Sequence, residues 1–297
     1  MMSLAQQNFC FCTYTSGQTY RTLTKLLVQD LKQYAPEIPF IIFTDKPSHF
    51  SDDKNVMPFE HHRQGISFHN ERRYAIAKAI SLYNSCMYID ADVRICAPVP
   101  PEIQSKWLPG LTARSCGSLI KLMQERLSKS NPPNPSVVKQ MKLIEKIARK
   151  LDIDLTETTI PFINEFLFVL TRDSGKEIEF LNLWEKLAYY TELNGWDNAP
   201  TIPMGFAAVQ VGMPVIYDEM EGLDFFDDRI ESVRIAKGQS APESKQEYFE
   251  AQRSIEKDNR TLTQKAVDKV KKNIDYSSRY LRLKVRTLIS DFDFYKN

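Results

Sequence analysis

Two continuous apolar runs, Phe40-Ile41-Ile42-Phe43 and Cys86-Met87-Tyr88-Ile89, constrain this chain more than any other feature. Four apolar residues in succession leave no polar face, so a strand of this kind is buried on both sides. Each run follows a stretch with helical spacing. Tyr20, Leu23, Leu27, Leu31 and Tyr34 form one stripe, ended by Pro36 and Pro39. Tyr74, Ala77, Ile80 and Tyr83 form another, in a helix predicted from about Glu71 to Tyr83 and closed by Asn84-Ser85. A short strand over residues 8–14, broken by Ser16 and Gly17, and a weaker one over Val56 to Phe59 complete the pattern. Such alternation of strand and helix argues for parallel strands with crossover helices. In open α/β sheets, ligands gather beyond the carboxyl ends of the strands. Tyr14-Thr15, Thr44-Asp45 and Asp90-Ala91-Asp92 all stand at such ends.

The chain has 297 residues, which suits one large domain or one domain with an appendage. Its 39 basic and 38 acidic side chains leave a net charge of +1, which implies no nucleic acid partner. Five cysteines, Cys10, Cys12, Cys86, Cys96 and Cys116, make an odd count. Cys10 and Cys12 share one strand face, but no second pair stands where a zinc site would need it. Buried thiols in a reducing compartment are the expectation. No apolar run approaches the roughly 20 residues of a membrane span, and no signal-peptide order opens the chain. The protein is therefore expected in the cytoplasm, with or without peripheral contact at the inner face of the membrane.

Residues 117–158 read as polar helices interrupted at Pro132, Pro133 and Pro135, an insertion that suits a mobile lid or a partner surface. A long strand is predicted from Phe162 to Leu170. Ser174-Gly175-Lys176-Glu177 has capping-box spacing and opens a helix that Gly195 closes. A short helix around Phe206–Val211 and a last strand at Val215–Tyr217 follow. His61-His62 reads as a polar loop. The division is a domain over 1–240 and a basic helical extension over 241–297. In that tail, Lys265, Lys269, Lys271, Lys272, Arg279, Arg282, Lys284 and Arg286 alternate with apolar residues. It suits an anionic membrane surface, or a solvated helix packed on the domain.

Two carboxylates at i and i+2 just past a strand, Asp90 and Asp92, can turn toward one ion. Their hard oxygens suit Mn2+ or Mg2+. A solvated turn is the plainer alternative. The stretch Arg72-Arg73-Tyr74-Ala75-Ile76-Ala77-Lys78-Ala79-Ile80, continued by Cys86 to Val93, resembles the GT-A glycosyltransferases, in particular the branch of glycogenin and bacterial lipopolysaccharide glycosyltransferases. The resemblance implies a GT-A-like, Rossmann-type α/β fold with a mixed, mainly parallel sheet flanked by helices. It also implies a nucleotide-sugar donor and a glycan, lipid-linked or small-molecule acceptor. By position it gives Arg73, with Arg72 beside it, a phosphate contact. Thr13, Tyr14, Thr15 and Asp45 would frame base and ribose, and Asp90, Ala91 and Asp92 would carry the diphosphate and metal. Asn164 matches the donor-sugar strand, where Glu165 departs from the usual small residue. Asp197 matches an acceptor-side loop.

The branch supplies a further metal-ligating His late in the fold. All four histidines here, His49, His61, His62 and His69, precede Asp90. Either a carboxylate such as Asp218 or Asp224 substitutes, or the site holds metal weakly, or binding is metal-independent. Two other classes fit the same residues. One is a phosphatase of the aspartyl-phosphate type, with Asp227-Asp228 as its second acidic pair. The other is a non-catalytic nucleotide-sugar-binding protein.

Overall fold

The computed structural model describes residues 8–115, 117–196, 200–257 and 262–296, the last with side chains from 269 onward. In chain order the elements are β1 (Phe9–Thr15), α1 (Gln18–Tyr34), β2 (Phe40–Thr44), β3 (Val56–Glu60), α2 (Arg72–Leu82), β4 (Ser85–Ile89) and β5 (Arg94–Ile95). Then come β6 (Gly110–Ala113), α3 (Leu119–Ser128), α4 (Pro135–Lys150), β7 (Leu167–Thr171), α5 (Lys176–Leu193), α6 (Thr201–Gln210), β8 (Val215–Tyr217) and β9 (Phe225–Phe226). Four more helices close the chain: α7 (Asp228–Ala236), α8 (Gln246–Glu256), α9 (Leu262–Ser290) and α10 (Phe292–Tyr295).

Seven strands form one sheet in the order β3-β2-β1-β4-β7-β6-β8. β1 pairs in parallel with β2 and β4, and β2 with β3. β7 runs antiparallel to both of its neighbours, β4 and β6. The fold is thus α/β, a mixed and mainly parallel sheet flanked by helices, consistent with a GT-A-like, Rossmann-type architecture. The doubly apolar runs are where burial demands them: β2 and β4 lie inside the sheet, and β4 is buried along its whole length.

The reversal of β7 matters most for function. Because it opposes β4, its first residue, Leu167, pairs with the last of β4, Ile89. The segment entering β7 therefore arrives beside the Asp90 turn, and the Asp90 N–H donates to the Phe166 carbonyl at 2.8 Å. The predicted strand from Phe162 is regular only from Leu167. Residues 162–166 are irregular backbone, joined to the fold by a bridge between Ser118 and Pro161. An acidic side chain inside a buried strand would lack water, and the turn at Glu165 avoids that cost. Gly205 in α6 holds this segment close, since a Cβ there would stand 2.5 Å from the Pro161 carbonyl.

The 117–158 segment is not a free lid. α3 and α4 bury Leu119, Met123, Leu143, Ile144, Ile147 and Ala148 in the core cluster that also holds Trp184 and Phe206. Each such buried Leu, Ile or Met side chain contributes about 1.5–3 kcal/mol. The capping spacing at Ser174 is half realised: Glu177 reaches back to the Asp173 and Gly175 N–H groups at 2.8 and 3.1 Å, while the Ser174 side chain caps nothing. Cys10, Cys12 and Cys86 are buried thiols, as expected, and Cys116 lies outside the described residues. No helix among the described residues is long and apolar enough to cross a membrane.

Candidate functional site

A cleft of about 500 Å³ opens at the carboxyl ends of β1 and β4. Asp90, Ala91, Asp92, Arg72, Glu165 and Tyr14 line it, together with Tyr20, Phe68, His69, Asp228, Arg229, Gln252 and Glu256. A larger cavity, about 710 Å³, lies at the amino ends of β2 and β3 between Lys32, Lys54, Asn55 and Tyr83. None of the candidate site residues lines that one, and parallel strands direct their ligands to the other end.

The cleft is an electrostatic conflict. Asp90 accepts from the Tyr88 hydroxyl at 2.8 Å and lies 3.3 Å from the Arg72 guanidinium. Burial still pushes its carboxyl above the ordinary range, against the opposing pull of Arg72 and Tyr88. Asp92 has no ion pair and no hydrogen bond to another side chain among the described residues. Burial, then the charges of Asp90 and Asp227, push it up to about 7. Asp227 caps α7 by accepting from the Arg229 and Ile230 N–H groups at 3.1 and 2.9 Å. Asp228, next in sequence, lines the cleft.

Arg72 is the cation of this wall. Nearly fully buried, it donates to the His69 carbonyl at 2.8 Å and to the Glu165 carbonyl, and stacks 5.0 Å over the Tyr88 ring. Arg73 does not reach the cleft. Its guanidinium lies between the Tyr74 and Tyr189 rings, at 4.5 and 4.9 Å, with Glu185 at 3.7 Å. One residue advances a helical side chain by about 100°, so the two arginines face different layers. Of the two, only Arg72 lines the cleft, where exposed Arg229 joins it.

The remaining residues divide. Tyr14 lines the cleft against Phe68, and its hydroxyl has no hydrogen-bond partner, although Ser16 and Arg63 are near. Burial raises that phenol to about 12. Thr13 and Thr15 are wholly buried outside the cleft lining, with unpartnered hydroxyls. Asp45 is taken up by Arg21, at 2.6 and 2.7 Å, and by the Gly17 N–H at 3.2 Å. Burial raises its carboxyl, but these partners outweigh that and hold it below the ordinary range. Asn164 is half-buried in the irregular entry to β7 and is outside the cleft lining. Glu165 lines the cleft and accepts from the Thr201 hydroxyl at 2.9 Å. Asp197 lies outside the described residues.

Neither candidate substitute for the late His lines the cleft. Asp218 pairs with Lys106 at 3.2 Å and Asp224 with Lys245 at 2.7 Å. His61 and His62 follow β3 in a loop, as expected, but only His62 is solvated: the His61 ring is packed against Tyr14, Phe43 and Tyr74, with Nε2 2.6 Å from Glu71. Sequence reading also missed the aromatic wall of Tyr20 and Phe68, stacked at 5.1 Å. Nor did it bring Gln252 and Glu256 of the tail to the cleft. Only the tyrosine stripe of α1 hinted at either.

In donor type, Asp90 and Asp92 fit a hard divalent cation, because Asp92 makes no ion pair among the described residues and the charge of Arg229 only partly offsets the burial and the acids around it. Among the described residues, no three His, Cys, Asp or Glu side chains converge to cage an ion. An ion here would therefore take phosphate or water for the rest of its shell, as Mg2+ commonly does.

No family model and no curated protein matches this chain. Among solved structures it is similar to the apo structure of WbbM, a bifunctional glycosyltransferase, with a TM-score of 0.42 and 9% identity. The match covers 73% of this chain and 40% of that one, so this chain spans well under half the length of that protein.

Proposed function

We propose that this protein is a glycosyltransferase that moves a sugar from a nucleotide-diphosphate sugar to a glycan, lipid-linked or small-molecule acceptor. The observation that carries the reading is the meeting of Asp90, Asp92, Arg72 and Glu165 around one cleft at the strand ends. Tyr14, Tyr20 and Phe68 offer an aromatic wall for a base. Arg72 and Arg229 take up diphosphate charge as the bond to the sugar breaks. Glu165, held by Thr201, orients donor and acceptor, with Asn164 and Asp197 assigned the same task by resemblance. Mn2+ or Mg2+ bound by Asp90 and Asp92 supplies neutralisation of the leaving diphosphate.

The test is nucleotide-sugar binding and donor hydrolysis by Asp90→Ala and Asp92→Ala, with and without Mn2+. Both variants are expected to lose metal-dependent binding. If both hold nucleotide and metal as well as the parent does, the reading is wrong. The approach of Asp227 to Asp92 favours a second reading, an aspartyl-phosphate phosphatase. Phosphate release from a phosphomonoester, with no response to any nucleotide sugar, would select it. Nucleotide-sugar binding without turnover across acceptors would select a non-catalytic binding protein.

A further inference from the structure

Helix α9 has two faces. Its inner face is fixed by contacts: Leu283 and Thr287 are buried, Arg286 lies 3.6 Å from Glu185 of α5, and Arg279 donates to the Arg63 carbonyl at 3.4 Å. Arg286 also donates to the Gln64 side chain at 3.1 Å. At about 100° per residue, Val270, Ile274, Leu281, Val285 and Leu288 fall within an arc of about 60° on the opposite side. All five are exposed, Ile274 by 65% and Leu281 by 63%. The same projection sets Lys284 along one flank of this stripe and Lys271 and Arg282 along the other. Asp275 falls beyond the Lys271 and Arg282 flank, away from the stripe, and is tied to Arg279 at 2.8 Å.

An apolar stripe between two basic margins commits to one kind of occupant. A second copy of the helix would bring like charges together along both margins. A layer of anionic headgroups instead pairs with the cations while its acyl boundary takes the stripe. We propose that α9 seats the protein on an anionic lipid surface through Ile274, Leu281, Val285 and Leu288. The inner face of the same helix ties down the Arg63–Gln64 segment, just ahead of the cleft residues Phe68 and His69. Lipid docking needs neither donor nor acceptor, so it stands or falls apart from the proposed sugar transfer.

Co-sedimentation of the full chain with phosphatidylcholine vesicles, with and without phosphatidylglycerol, tests this. Binding is expected only to the anionic vesicles, and added salt should weaken it. Replacing Leu281, Val285 and Leu288 together by Ser should abolish binding without lowering the melting temperature, because none of the three is buried. Replacing Lys271, Arg282 and Lys284 by Gln should lower vesicle affinity by roughly a hundredfold. A parent indifferent to phosphatidylglycerol overturns the proposal, as does a triple-Ser variant that binds as tightly as the parent. So does a solution dimer that the triple-Ser substitution dissociates.

Discussion

Replacing Asp92 by Asn should stabilise the protein at neutral pH while weakening its binding of divalent cation. Asp92 titrates at about 7 against an ordinary value of 3.8, through burial and the charges of Asp90 and Asp227. A folded state that holds this proton more tightly than the unfolded chain gains stability from it below about pH 4 and loses that gain as pH rises through about 7. Each pH unit between the two values is worth about 1.4 kcal/mol, so the ceiling is about 4 kcal/mol. The carboxyl is only partly screened from water, and about 1–2 kcal/mol is the expected gain at pH 8. Asn is nearly isosteric and carries no charge, so the gain should vanish near pH 4. Urea unfolding in chelator at about pH 4.5 and about pH 8 measures the difference. Added Mn2+ should then stabilise the parent more than the variant. A variant that is neutral or destabilised by the same amount at both pH values would refute the reasoning, since the carboxylates would not be in conflict.

Arg72→Leu should cost about 3–5 kcal/mol in the same assay, because it leaves Asp90 buried without its counter-charge and two carbonyls without a donor. The loss should shrink toward acid pH, where Asp90 takes a proton instead. Thr13→Val should be neutral or stabilising by up to about 1 kcal/mol, since its buried hydroxyl has no partner. Calorimetric titration with nucleotide should find that variant unchanged, whereas Tyr20→Ala, which removes an exposed ring of the aromatic wall, should bind more weakly.

The arrangement of elements was legible where the chain leaves no freedom. Four apolar residues without a polar face in β2 and β4 admit only a doubly covered strand, and helical stripes before them imply parallel crossovers. The Asp90-Ala91-Asp92 turn followed from that same logic. Less was legible at the entry to β7. Asn164 and Glu165 are next to an apolar run, and local pattern extends the strand through them. Direction decides otherwise, because β7 runs antiparallel to β4 and delivers its first turn to the Asp90 corner.

Local sequence therefore determined the strands, their ends and the acidic turn, because burial and backbone hydrogen bonding act over a few residues. Tertiary structure decided which neighbours those ends meet. It turned Arg72 into the cleft and Arg73 into an aromatic slot, although the two are adjacent. It withdrew Asp45 into an ion pair with Arg21 and brought Asp227 and Asp228 to Asp92 from more than a hundred residues away. Charge interactions depend on distance in space and on access to water, and neither quantity is written in the order of residues.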